Sequence, residues 1–214
     1  MNRGKAQKFI SELLKYDLKQ GREKGTWYKF HNHVYGVALM AEKIAENLGL
    51  DSEKAYILGL MHDCGKIYEM YEKRFHGVIG YEMFKDKDSD IAKVSMTHSF
   101  YYNMLPRGKD FDRYFYGNMT DKEFVKKYIK KCKFDEYDKI IQLCDGLANC
   151  DGLVTIEQRA QEFAKRYKFK MPSYIIKNMH KIKEEFDTRL GVDVYSLFDE
   201  IDKSFMLKPG QDVK

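Results

Sequence analysis

A chain of 214 residues with 43% hydrophobic and 33% charged residues can bury one full core, and its even mixture excludes a disordered or low-complexity protein. Lysine and arginine number 38 against 33 acids, a net charge of +5 that suits an anionic substrate and is too small to imply a nucleic-acid partner. The 4 cysteines form no CxxC pair and read as reduced thiols of a cytoplasmic protein, while no stretch is long and apolar enough for a signal peptide or a membrane span.

Only 3 prolines and recurrent helical periodicity predict an all-α protein. Residues 5–20 form an amphipathic pattern, with Phe9, Ile10, Leu13, Leu14 and Leu18 on one stripe. "QGREKGTWYKFHN" reads as a connection, and a helix is expected from His33 to about Leu48. Asp51 is an N-cap for the next helix, which ends on His62 and Asp63 with Gly65 as its stop. Helices follow near 77–85 and 89–99, then a loop over 99–119 broken by Pro106, Gly108 and Gly117. "TDKE" reads as a capping box at Thr120, and "EYDKIIQLCDGLANC" as a further helix. "TIEQ" opens another, Pro172 begins one that runs to about Leu190, and a short last helix follows Asp193. The economical organisation is one domain over 1–214, with a core at about 30–150 and C-terminal helices over 155–204.

Helical phase carries the chemistry. His33 lies on the flank of the stripe Val34, Val37, Ala38, Ala41, Ile44, Ala45 and Leu48, so it faces inward at its helix start. A short turn, "GLDS", joins that helix to the one ending in His62 and Asp63, which places three polar donors at the same end of a helical bundle. Imidazole and carboxylate together suit zinc, iron, manganese or a similar ion. Asp145 sits in an apolar helix, where an unpaired carboxylate would be costly; Asp138 and Asp151 compete with it, as His31 competes with His33. Taken alone, His76 also reads as a turn residue beside Gly77, and His98 as a core or cap histidine, which would leave one ion. Cys64 reads as a packing residue and His180 as an exposed one.

"HVYGVALMAEKIAENLGLDSEKAYILGLMHDCGK" resembles the HD-domain superfamily of metal-dependent phosphohydrolases, in which one histidine opens a helix, an HD pair ends the next and an aspartate comes late. "FHGVIGYEMF", "VSMTHSF" and "IIQLCDGLA" resemble the later elements of binuclear members, including dinucleoside-polyphosphate hydrolases, over about Phe30 to Leu147. The resemblance implies that His33, His62, Asp63 and Asp145 hold one divalent metal (Fe, Mn, Zn, Co or Ni). Asp63 would bridge to a second, held also by His76 and His98, with water or hydroxide between the two as nucleophile. Asp63 and Lys66 would be the catalytic residues, Lys66 as a mobile charge on a substrate phosphate. The substrate implied is a phosphorylated small molecule such as a nucleotide. The chain departs from the commoner HDIGK at Cys64. It also carries an insertion between His98 and Asp145 in which Arg107, Lys109 and Arg113 alternate with aromatic residues. That loop reads either as a lid that binds substrate or as a packed loop or homodimer contact. Two other readings of the same scaffold are a di-iron oxygenase and a nucleotide-sensing module without turnover.

Overall fold

Apolar residues recur at helical spacing along most of the chain, and most turns supply their own cap, so helix follows helix. The computed structural model describes residues 1–20, 27–106, 108–209 and 211. In it, α1 (Arg3–Lys19) is capped by Asn2, whose side chain accepts from the Lys5 amide. α2 (Trp27–Asn47) starts earlier than expected, because the aromatic run WYKF forms its first turn instead of a connection. α3 (Ser52–Met61) is capped by Asp51, which accepts from the Lys54 amide at 2.9 Å.

Gly65, expected to stop α3, has a helical φ of −85° and starts α4 (Lys66–Glu72) instead. Its smallness is what matters: a Cβ there would lie 2.8 Å from the Gly80 amide nitrogen and collide with the His76 carbonyl. α5 (His76–Phe84) can therefore pack tightly on the turn after α3, and α6 (Ser89–Thr97), capped by Asp88, lies beside α5.

Much of the 99–119 stretch is structured. Two 3₁₀ turns, Tyr101–Asn103 and Arg113–Phe115, flank the short α7 (Lys109–Asp112). α8 (Met119–Lys131) is capped by Asn118 and not by Thr120, since the Asn118 side chain accepts from the Asp121 amide. α9 (Glu136–Leu147) has a capping box between Asp135 and Asp138. A small antiparallel hairpin of β1 (Ala148–Asn149) and β2 (Gly152–Leu153) follows, which the periodicity did not reveal. α10 (Ile156–Tyr167) opens on the expected Thr155–Gln158 box, and α11 (Ser173–Leu190) follows Pro172 and closes at Gly191. Past Asp193 the short last helix is a 3₁₀ segment, Val194–Glu200.

The architecture is all-α, helix packed on helix around two apolar clusters. The larger joins α1, α2, α3, α9 and α11 through residues such as Ile10, Val37, Leu60, Ile141 and Phe186. The smaller gathers Phe75, Met96, Phe100, Phe111, Phe115, Val125 and Ile129. Phe111 and Phe115 are thus spent on this chain's own core, not on a lid or an outer contact. Among the described residues no helix is long and apolar enough to cross a membrane.

Candidate metal centre

α2 and α3 touch almost backbone to backbone, for a Cβ on Gly59 would stand 2.7 Å from Ala38 Cα. This approach brings His33 on α2 to His62, the residue that closes α3, with their Nε2 atoms 3.3 Å apart. Asp145 on α9 comes in from a third side, its Oδ1 3.2 Å from His33 Nε2 and 3.7 Å from His62 Nε2. On the other side of Asp63, His76 at the start of α5 and His98 at the end of α6 meet with Nε2 atoms 3.1 Å apart. Asp63 faces both groups. Its Oδ1 lies 3.3 and 3.4 Å from the Nε2 of His76 and His98, and its Oδ2 lies 3.8 and 3.9 Å from that of His62 and His33.

Each ring is held by its other nitrogen. Nδ1 of His33, His62 and His98 donates to the carbonyls of Ala148 (3.0 Å), Gly59 (2.6 Å) and Val94 (3.0 Å). His76 Nδ1 donates instead to Glu69 Oε1 at 3.0 Å. A carbonyl or carboxylate can only accept, so these bonds put a hydrogen on each Nδ1 and point each Nε2 inward, as a lone pair whenever the ring is neutral. Lone pairs and carboxylate oxygens converge as two trios, His33–His62–Asp145 and Asp63–His76–His98, with donor atoms of each within 4.8 Å of one another. Acceptors facing acceptors repel, and a positive charge between them removes the repulsion.

The electrostatics of the site carry the same demand. Burial pulls the His62 imidazolium down, but Asp63 and Asp145 hold it up, at about 9. Burial opposes ionisation of Asp63 and Asp145, yet the imidazoles around them keep both well below the usual carboxylate range. Burial and the nearby Lys66 ammonium lower His76 against the pull of Asp63 and Glu69, which favours a neutral ring with a free lone pair. Imidazole nitrogen and carboxylate oxygen in this arrangement fit a borderline divalent ion.

The trios open on a cleft of about 680 Å³. Lys66 lines it with its side chain 44% exposed, its ammonium 2.7 Å from Glu69 Oε2. Burial disfavours that charge, but Asp63 and Glu69 outweigh it and raise the lysine's pKa. Tyr101 and Tyr114 bring phenols to the wall from the 99–119 segment, and burial pushes Tyr114 up to about 12, so it stays a donor. The far wall comes from α10 and α11, with Arg159, Phe163, Arg166, Tyr167, Ile175 and Met179. Glu162 pairs with both guanidiniums, at 3.4 Å to Arg159 and 2.5 Å to Arg166.

The structure brings together His33, His62, Asp63, His76, His98, Asp145 and Lys66. It does not bring the loop cations to them. Lys109 is exposed on α7, Arg113 lies over the Phe169 ring at 4.6 Å, neither lines the cleft, and Arg107 lies outside the described residues. His31 stacks on Tyr35 at 4.3 Å, Asp138 pairs with Lys93 at 2.6 Å, and Asp151 is exposed, so these competitors have other roles. Cys64 is buried beside Ser95, as a packing residue would be. Glu69, Arg159 and Arg166 were not singled out by the sequence; Glu69 sits in the short α4, and the two arginines look like solvated helix residues.

The family model for the HD domain matches residues 30–150, more than half of the chain. The chain is also similar to proteins named Ribonuclease Y, among them the following three. That of Mycoplasma mycoides subsp. mycoides SC is 41% identical over 67 residues, 31% of this chain and 13% of that protein. That of Mycoplasma capricolum subsp. capricolum is 37% identical over 67 residues, again 31% and 13%. That of Thermotoga maritima is 36% identical over 69 residues, 31% and 14%. The chain therefore spans only 13–14% of the length of these relatives. No solved structure matches it.

Proposed function

The chain belongs to the HD domain family, and on that premise we propose that it is a hydrolase of a phosphate ester or anhydride that works with two divalent ions. The observation that carries this reading is Asp63, whose two oxygens face different histidine pairs. His33, His62, Asp145 and Asp63 Oδ2 would hold one ion; His76, His98 and Asp63 Oδ1 would hold the other. Such ions, when bound, acidify water and offset charge on a phosphate.

The chain's own groups do the rest. The four Nδ1–H bonds keep the rings from turning, so the donors need no reorganisation on loading. Lys66 presents an ammonium to the cleft beside the second trio, where a phosphate oxygen would receive it. Arg159 and Arg166 supply cations on the opposite wall, and Tyr101, Tyr114 and Phe163 offer rings to a flat group such as a base. Since α10 and α11 complete the cleft, the chain would act as one unit. Cysteines that form no disulfide suit a cytoplasmic setting.

Elemental analysis of the purified protein, joined to an anaerobic screen of nucleotides and simple phosphate esters with manganese or cobalt, tests the proposal. Phosphate release without dioxygen is expected. Turnover of an organic substrate only with iron and dioxygen would replace it with the oxygenase reading, and tight nucleotide binding without turnover would replace it with the sensing reading. The similarity to Ribonuclease Y favours a second substrate, an RNA phosphodiester, so the screen includes a short oligoribonucleotide.

A further inference from the structure

Three of the four inward-facing rings are anchored by main-chain carbonyls, which carry no formal charge and cannot move without the helix. His76 alone is anchored by a side chain, the buried Glu69 from α4. The same carboxylate binds the Lys66 ammonium through its second oxygen, and that ammonium stands 3.4 Å from His76 Nδ1. Since Nδ1 already gives its hydrogen to Glu69, the lysine cannot bond to it and is held there by Glu69.

The second trio is also the poorer one. It has Asp63 Oδ1 and two imidazoles, whereas the first has two imidazoles, Asp145 and the other Asp63 oxygen. An unpaired ammonium beside the poorer trio would repel a cation. We propose that Glu69 is a positioning residue that governs occupancy of the second trio, by holding the His76 ring with one oxygen and keeping Lys66 paired with the other. The inference rests on the two-ion reading above.

Manganese titrations of the full chain, read as bound metal per chain after desalting, test it. In Glu69→Ala, both partners are lost, and the second equivalent should bind ~100-fold more weakly while the first is unchanged. Glu69→Gln keeps an acceptor for His76 but loses the charge that docks Lys66, and the second equivalent should weaken ~10-fold. Glu69→Ala combined with Lys66→Ala should recover part of the lost affinity, because the repelling ammonium has gone; a purely structural role would give no recovery. Two equivalents bound by Glu69→Ala as tightly as by the unaltered chain would overturn the proposal. So would parallel loss of both equivalents in Glu69→Gln, or an unaltered chain that takes up only one ion, although a one-ion hydrolase would survive that last result. Two ions with the expected Glu69 pattern and no phosphate release would support this role and sink the proposed reaction.

Discussion

The two trios sit side by side but are built from different parts of the molecule. His33, His62 and Asp145 belong to α2, α3 and α9, the helices of the larger core, and their geometry follows from backbone contacts such as Gly59 on Ala38. His76 and His98 belong to two nine-residue helices between the two clusters, and one of the rings depends on a neighbouring carboxylate. A site fixed by the fold can be altered only by altering the fold. A site tuned by one side chain can change its ion affinity alone.

Asp63 is the element the trios share, so its removal gives the largest effect. Asp63→Ala should lose both ions and all hydrolysis, seen together by elemental analysis and phosphate release; an active variant would end the two-trio description. Less drastic is His98→Ala, which should lose about one ion per chain and keep the other, with His33→Ala losing the opposite one. Metal content unchanged by His98→Ala would reduce the centre to the first trio.

Lys66→Ala separates substrate from metal. It should keep full metal content at saturating manganese while turnover falls ~100-fold, the scale of a lost charge in the transition state. Normal turnover in that variant would remove the lysine from the reaction.

Proton competition sharpens the comparison further. Burial works against charge on His62, but Asp63 and Asp145 hold its pKa at about 9 in the metal-free protein, so an ion entering the first trio must displace a proton at lower pH. Affinity there should climb ~tenfold per pH unit up to about 9 and then level off. His76, lowered by burial and Lys66, favours the neutral state near pH 7, so it should add no such climb to the second trio there. Calorimetry in buffers of different ionisation enthalpy would count the protons released.

The smallest effect concerns the cleft wall. Arg159→Ala should raise the Michaelis constant about tenfold with little change in turnover, as expected for lost ground-state binding. Lys109→Ala and Arg113→Ala should change it less than about twofold, because neither side chain lines the cleft.

The sequence was most legible where one physical rule dominated. Helical phase put His33 on the inner flank of α2, and the polar cost of a buried carboxylate singled out Asp145. Asp51 and the Thr155–Gln158 pair were readable as caps because the amides that donate to them lie within one turn. Glu69 was hidden because its partner His76 lies seven residues on, across the break between α4 and α5, where no helical spacing applies. Thr120 lost to Asn118 because two residues only two positions apart could each cap α8, and composition does not choose between them. The loop cations misled for a related reason. Arginine beside aromatic residues serves a ligand or a protein ring equally well, and here Arg113 lies on Phe169.

The wall of the cleft opposite the histidines comes from α10 and α11, beyond residue 150, where the family match ends. On the reading proposed above, the metal donors all lie between His33 and Asp145, while one wall of the substrate cleft lies beyond them in the chain. Drift or directed evolution across residues 156–179 can remodel what is admitted without disturbing one ligand atom. A library confined to Arg159, Phe163, Arg166, Tyr167, Ile175 and Met179 would be the natural place to retarget the proposed hydrolase, with bound metal as the check that the donor groups are intact.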